Sequence, residues 1–110
     1  MKKTLTALVL GFSLISAVNA ESIALSNGEA NYKMLCTSCH GDKGHGDGIA
    51  GESLSEQPSN IYEGLTSFWE SESELIDTVL NGNEGMPAWK SILNEEDVKD
   101  IFAYIDTINK

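Results

Sequence analysis

Cys36-Thr37-Ser38-Cys39-His40 is the segment of this 110-residue chain with the clearest capacity for chemistry. Two thiols at this spacing can add to the two vinyl groups of a haem as thioethers, and the imidazole directly after them comes under one face of the ring to bind iron. The same thiols could instead act as a dithiol redox couple or as half of a zinc site. A thioredoxin-like couple needs a strand ahead of the pair within a βαβ pattern, whereas Tyr32-Lys33-Met34-Leu35 belongs to a helical run. A closed zinc site needs four ligands, commonly with a second Cys or His pair downstream, and the sequence has no such pair. The residues favour covalent attachment of one haem c through Cys36 and Cys39, with His40 as an iron ligand.

Iron that only exchanges electrons ordinarily has a second strong ligand. Met34 lies two residues before Cys36 and is tied to the same side as His40, and Met1 belongs to an N-terminal segment read below as an export signal. Met86 is far along the chain, before Pro87, which biases it away from helical geometry. Its plainer alternative is a methionine that fills a gap in the core. His45 competes for the iron, since five extended residues from His40 span about 16 Å. Glycines on both sides of it suggest a solvent-facing loop residue instead.

The elements that position these residues read as helices and loops. Ser26-Asn27-Gly28-Glu29 has capping-box spacing and predicts a first helix from near Ser26 toward Leu35. Five glycines between Gly41 and Gly51 predict a tight irregular loop, which Pro58 and Asn60 extend. Ser71-Glu72-Ser73-Glu74 caps a second helix with Leu75, Ile76, Val79 and Leu80 on one face, stopping at Asn81-Gly82. Asn94 caps the last helix, whose buried stripe is Val98, Ile101, Phe102, Ile105 and Ile108. Glu95, Glu96 and Asp97 stand in its first turn, where the helix dipole favours negative charge.

Lys2 and Lys3, an apolar run from Leu5 to Val18 and the small-residue end Val18-Asn19-Ala20 read as a signal peptide over residues 1–20, leaving one domain over 21–110. The apolar run is shorter than the ~20 residues of a membrane-spanning helix, so no membrane insertion is expected once the signal is cleaved. From Glu21 onward five lysines face seventeen carboxylates, a net charge of −12. That balance argues against nucleic acid and anionic membrane surfaces as partners and favours basic protein surfaces. Solubility is the plainer reason for it. Ninety residues make a marginal core of side chains alone, which a large apolar cofactor would complete.

With these residues the chain resembles the class I c-type cytochromes, especially the small bacterial one-haem type, over about residues 26–108. Gly28, Tyr32, Cys36, Cys39, His40 and Gly41 match the family's opening pattern, and Gly44-His45-Gly46-Asp47-Gly48 is like its glycine loop. Gly85-Met86-Pro87-Ala88-Trp89 is similar to its axial-methionine segment, and Ile101-Phe102-Ala103-Tyr104-Ile105 to its last helix. The resemblance implies an all-α cytochrome c fold, about three to four helices and loops wrapped around one covalent haem. It implies that the first and last helices cross closely at Gly28, with Tyr32, Ile101 and Tyr104 filling the crossing. It also implies that a carbonyl from Pro58 or a neighbour orients His40, and it makes Tyr62, Trp69 and Trp89 candidate donors to haem propionates or simply core. The chain departs from the family in its acidity and scarcity of lysine, which puts a lysine-lined docking surface in doubt.

The expected function is that of a periplasmic one-electron carrier with His40 and Met86 on iron, serving respiratory redox proteins with basic docking surfaces, and not of an enzyme. The alternatives are an electron-transfer subunit of a larger dehydrogenase or reductase, and a haem enzyme or gas-binding protein in which Met86 is labile. If the leader is read correctly, the intact mass of the exported protein will fit a chain beginning at Glu21 plus one haem. A mass that retains residues 1–20 would contradict it.

Overall fold

The computed structural model describes residues 20–110; the predicted export signal lies outside the described residues except for Ala20. In chain order the elements are α1 (Ala20–Leu35), α2 (Thr37–His40), a 3-10 turn (Ile49–Ser53), α3 (Ile61–Thr66), α4 (Glu72–Asn81) and α5 (Glu95–Ile108). Regular structure among the described residues is helical throughout, in keeping with the all-α expectation.

The first helix begins earlier than predicted. Ser26 is interior to α1, because the stretch from Ala20 to Leu25 contains neither Gly nor Pro and simply continues the helix. The supposed box residues do other work: Glu29 pairs with Lys33 one turn on, and Asn27 reaches across to α5. Its amide donates to Asp97 Oδ1 at 3.1 Å and to Asp100 Oδ2 at 2.8 Å. The short helix α3 was not foreseen either. Asn60, read as loop, accepts a hydrogen bond from the Glu63 amide at 3.0 Å and caps it.

The other two helices follow the sequence reading closely. Ser71 Oγ accepts from the Glu74 amide at 3.2 Å to start α4, and Gly82 closes it with φ +73°. Asn94 and Asp97 form a reciprocal capping box at the start of α5. Val98, Ile101, Phe102 and Ile105 of α5 are buried, and Ile108, its last residue, is half-buried. Each fully buried aliphatic side chain of this kind contributes roughly 1.5–3 kcal/mol.

The helices α1 and α5 cross at Gly28. A Cβ built there would stand 2.0 Å from the carbonyl oxygen of Asp100 and 2.5 Å from its carbon, so only hydrogen fits. This closeness is what lets Tyr32, fully buried, pack against Tyr104 with ring centroids 5.8 Å apart. The Tyr32 hydroxyl donates to the carbonyl of Gly41, and burial raises its pKa so that it remains a donor. Around the crossing lie Cys36, Ile76 and Leu93, completing a small core. Gly28→Ala should therefore destabilise the haem-loaded protein by about 3 kcal/mol in guanidinium unfolding, through overpacking that neither backbone can relieve. A loss under about 1 kcal/mol would show that the helices can separate at little cost.

Candidate haem site

The attachment segment begins where α1 ends. The Cys36 amide still bonds to the Tyr32 carbonyl (2.9 Å), and the His40 amide to the Cys36 carbonyl (2.9 Å), so the five residues form a helical turn continuing from α1. The glycine loop then folds back under this turn. Gly46 N–H donates to the His40 carbonyl at 2.8 Å and Gly48 N–H to the Cys39 carbonyl at 3.1 Å. At Gly46 φ is +83° and a Cβ would lie 2.4 Å from the Pro58 carbonyl oxygen, so both the turn and its closeness to the next strand of chain require glycine.

His40 is 6 % exposed. Its Nδ1–H donates to the carbonyl of Ser59 at 2.9 Å, which fixes the tautomer and leaves the lone pair on Nε2. The predicted source of that carbonyl, Pro58 or a neighbour, is thus the neighbour. Burial lowers the pKa of the ring below its ordinary value, against a smaller opposing pull from the Ser59 bond, so the ring is held in the neutral form that binds metal. Burial, helped by the proximity of Cys39, pushes the Cys36 thiol up to about 11. Reactive dithiols have lowered thiol pKa values, so this speaks against a thiol-redox couple.

Two chambers of about 490 and 350 Å³ share His40, Ser59, Thr78, Asn83 and Met86 in their walls. The larger also takes in Cys36, Cys39, Leu35, Pro87 and Trp89, and the smaller reaches Phe102 of α5. Cys36, Cys39, His40 and Met86 therefore meet at one cleft although Met86 is 46 residues beyond His40 in sequence. Met86 comes from the loop after α4. Asn83, overlooked in the sequence, pins that loop: its Oδ1 accepts from the amides of Gly85 and Met86, both at 3.0 Å. The Asn83 amide donates back to the Met86 carbonyl at 3.0 Å. Beyond it, Trp89 N–H bonds to the Val79 carbonyl and Lys90 N–H to that of Leu80, each at 3.1 Å.

His45 is not brought to the cleft. Its Nε2 bonds to Asn109 Oδ1 at 2.6 Å, its ring lies 6.5 Å from that of Tyr62, and it lines neither chamber. The reason is the fold-back of the glycine loop, which carries residues 43–45 to the end of α5, where Asn109 also donates to the Lys43 carbonyl at 2.8 Å. Of the three aromatic residues considered for propionates, Trp89 lines the cleft, whereas Tyr62 and Trp69 do not.

The cleft fits a haem. Its donor set combines two thiols, a neutral imidazole with Nε2 available and a thioether, a set suited to an iron that carries its own macrocycle. Two apolar side chains of the larger chamber, Met34 and Leu54, are 72 % and 41 % exposed, a surface that a flat apolar ring would cover.

A helical domain built around such a cleft is of the cytochrome c kind. The family model described as cytochrome C oxidase, cbb3-type, subunit III matches residues 24–105, so the chain belongs to that family and is a small class I c-type cytochrome, an electron-transfer protein whose cofactor is covalently bound haem c with its iron. The Cbb3-type cytochrome c oxidase subunit FixP of Azorhizobium caulinodans is 27 % identical over 97 residues, 87 % of this chain but 31 % of that protein. FixP of Bradyrhizobium diazoefficiens is 29 % identical over 76 % of this chain and 27 % of its own length. The chain thus spans less than a third of these two relatives. The cytochrome c6 of a Nostoc species is 28 % identical over 96 % of this chain and 92 % of that protein. No solved structure matches the chain.

Asn83→Ala removes both side-chain bonds that hold the Met86 loop and should lower stability by about 1 kcal/mol. Asn83→Asp, which retains an accepting oxygen, should cost less than half of that; equal losses in thermal unfolding would show that Oδ1 is not what holds the loop.

Proposed function

We propose that this chain is an exported one-electron carrier, cleaved after Ala20, which shuttles electrons in the periplasm between respiratory redox proteins. Cys36 and Cys39 would hold the haem by thioethers, and His40 and Met86 would be the two protein ligands to its iron. The observation that carries this reading is the convergence of those four side chains on one cleft.

The haem supplies a single redox-active iron that passes between ferric and ferrous forms. The chain's own residues determine how it does so. Ser59 orients the His40 ring, and burial shifts that ring toward its neutral form. Asn83 presents Met86, whose thioether prefers ferrous iron and raises the potential relative to a second imidazole. With both protein ligands in place the iron would have no open position for a substrate, which would make the chain a carrier and not an enzyme. Pro87, Trp89 and Leu35 in the cleft wall limit water at the ring, which further favours the less charged ferrous state.

The absorption spectrum tests this ligand set. The ferric holoprotein should show the weak far-red band of a sulfur-iron bond, lost in Met86→Ala together with a fall in midpoint potential, and kept in His45→Ala. Retention of the band in Met86→Ala, or ready binding of carbon monoxide by the wild type at neutral pH, would overturn it in favour of another ligand or a gas-binding site.

A second reading, an electron-transfer subunit of a larger redox complex, is favoured by the likeness to the FixP oxidase subunits, of which this chain covers under a third. Stable co-purification of the tagged chain with other redox subunits would support it; recovery of the chain alone would favour the free carrier.

A further inference from the structure

The turn between α3 and α4 presents two aromatic rings to water. Phe68 is 84 % and Trp69 81 % exposed, and the rings lie against each other with centroids 4.1 Å apart. Single exposed apolar residues are ordinary, but a paired Phe and Trp form a continuous apolar surface, and tryptophan is the residue type most enriched at the energetic centres of interfaces. The pair also has a defined place: its chain neighbours Ser67 and Glu70 line the smaller chamber of the cleft, so the aromatic surface adjoins that chamber.

The charge around it is of one sign. Residues 44–89, which supply most of the cleft wall, contain nine carboxylates and no lysine or arginine. Glu63, Glu70, Glu72 and Glu74 flank the aromatic pair, all exposed, and none of the four forms an ion pair with a lysine among the described residues. The lysines lie elsewhere, and Lys33, Lys99 and Lys110 are each paired with a carboxylate on their own helix or at its end. An apolar centre with an acidic rim matches a partner with an apolar centre and a basic rim. It repels an anionic membrane, and it repels a second copy of a chain with net charge −12 from Glu21 onward.

We propose that Phe68 and Trp69, framed by Glu63, Glu70, Glu72 and Glu74, form the docking surface for a basic redox protein, which they seat beside the smaller chamber of the cleft. The inference rests on reading the cleft as the haem site. One electron crosses this surface, one protein being oxidised as the other is reduced, and no bond or proton changes hands. The aromatic pair holds the complex together, and the carboxylates speed its formation.

Stopped-flow electron exchange of the holoprotein with two probes tests it: lysine-rich mitochondrial cytochrome c, and the small complex hexaammineruthenium. Phe68→Ser/Trp69→Ser should slow exchange with the protein probe by about tenfold, the loss of one interfacial anchor, while changing neither the haem spectrum nor exchange with ruthenium by more than about twofold. Glu70→Gln/Glu72→Gln/Glu74→Gln should slow the protein probe at low salt and flatten its salt dependence, whereas Glu95→Gln/Glu96→Gln, at the start of α5, should do neither. Equal rates for wild type and the aromatic variant, an equal effect of the α5 variant, or a wild type that reacts with ruthenium but not with the protein probe would overturn the docking surface. Failure of the wild type to react with either probe would instead sink the carrier reading beneath it.

Discussion

The contact between Gly28 of α1 and the backbone of Asp100 and Ile101 in α5 governs where everything else in this small domain can sit. Because no side chain stands between the helices there, Tyr32 one turn later is enclosed by α5 and can reach the carbonyl of Gly41. That bond ties the residue after His40 to the last turn of α1, so the attachment turn is held at both of its ends. The glycine loop then closes beneath it, with Gly46 and Gly48 bonded to the carbonyls of His40 and Cys39. Asn27 adds a polar clasp on the same crossing by donating to Asp97 and Asp100. The helix crossing, the tyrosine and the loop are one continuous support for Cys36, Cys39 and His40.

The other half of the cleft is supported separately. Helix α4 ends at Gly82, and the Asn83 carboxamide bends the chain so that Met86 faces the cleft that His40 also lines. The amides of Trp89 and Lys90 then return to the end of α4. These two halves meet across a thin core: aside from the α5 stripe and Tyr32, only Cys36, Ile76 and Leu93 are buried apolar side chains among the described residues. A large apolar cofactor held between the halves would add the contact area that the side chains alone do not.

Much of this was legible in the sequence because its determinants are local. The C-x-x-C-H segment, the caps at Ser71 and Asn94, the stop at Gly82 and the apolar stripe of α5 each depend on residues within a few positions of one another. What escaped was either overridden or long-range. Ser26 carries a good capping pattern, but a cap has no force where the preceding residues continue the helix. Asn60 stands two residues after Pro58, in the stretch read as an extension of the glycine loop, and its pairing with Glu63 three residues on was the signal that would have revealed α3. Nothing near His45 in sequence shows that its partner is Asn109, since that contact exists only after the loop has reached the end of α5. Asn83 was equally hidden, for its role depends on how the Met86 loop closes.

X-ray diffraction from crystals of the mature holoprotein, with data at the iron edge, tests the central claim most directly. The account predicts one iron peak in the cleft, bonded to Nε2 of His40 and the sulfur of Met86, with Cys36 and Cys39 joined to the ring by thioether bonds and Ser59 still accepting from Nδ1. An iron peak outside the cleft, or one whose second axial ligand is any group other than Met86, would contradict it.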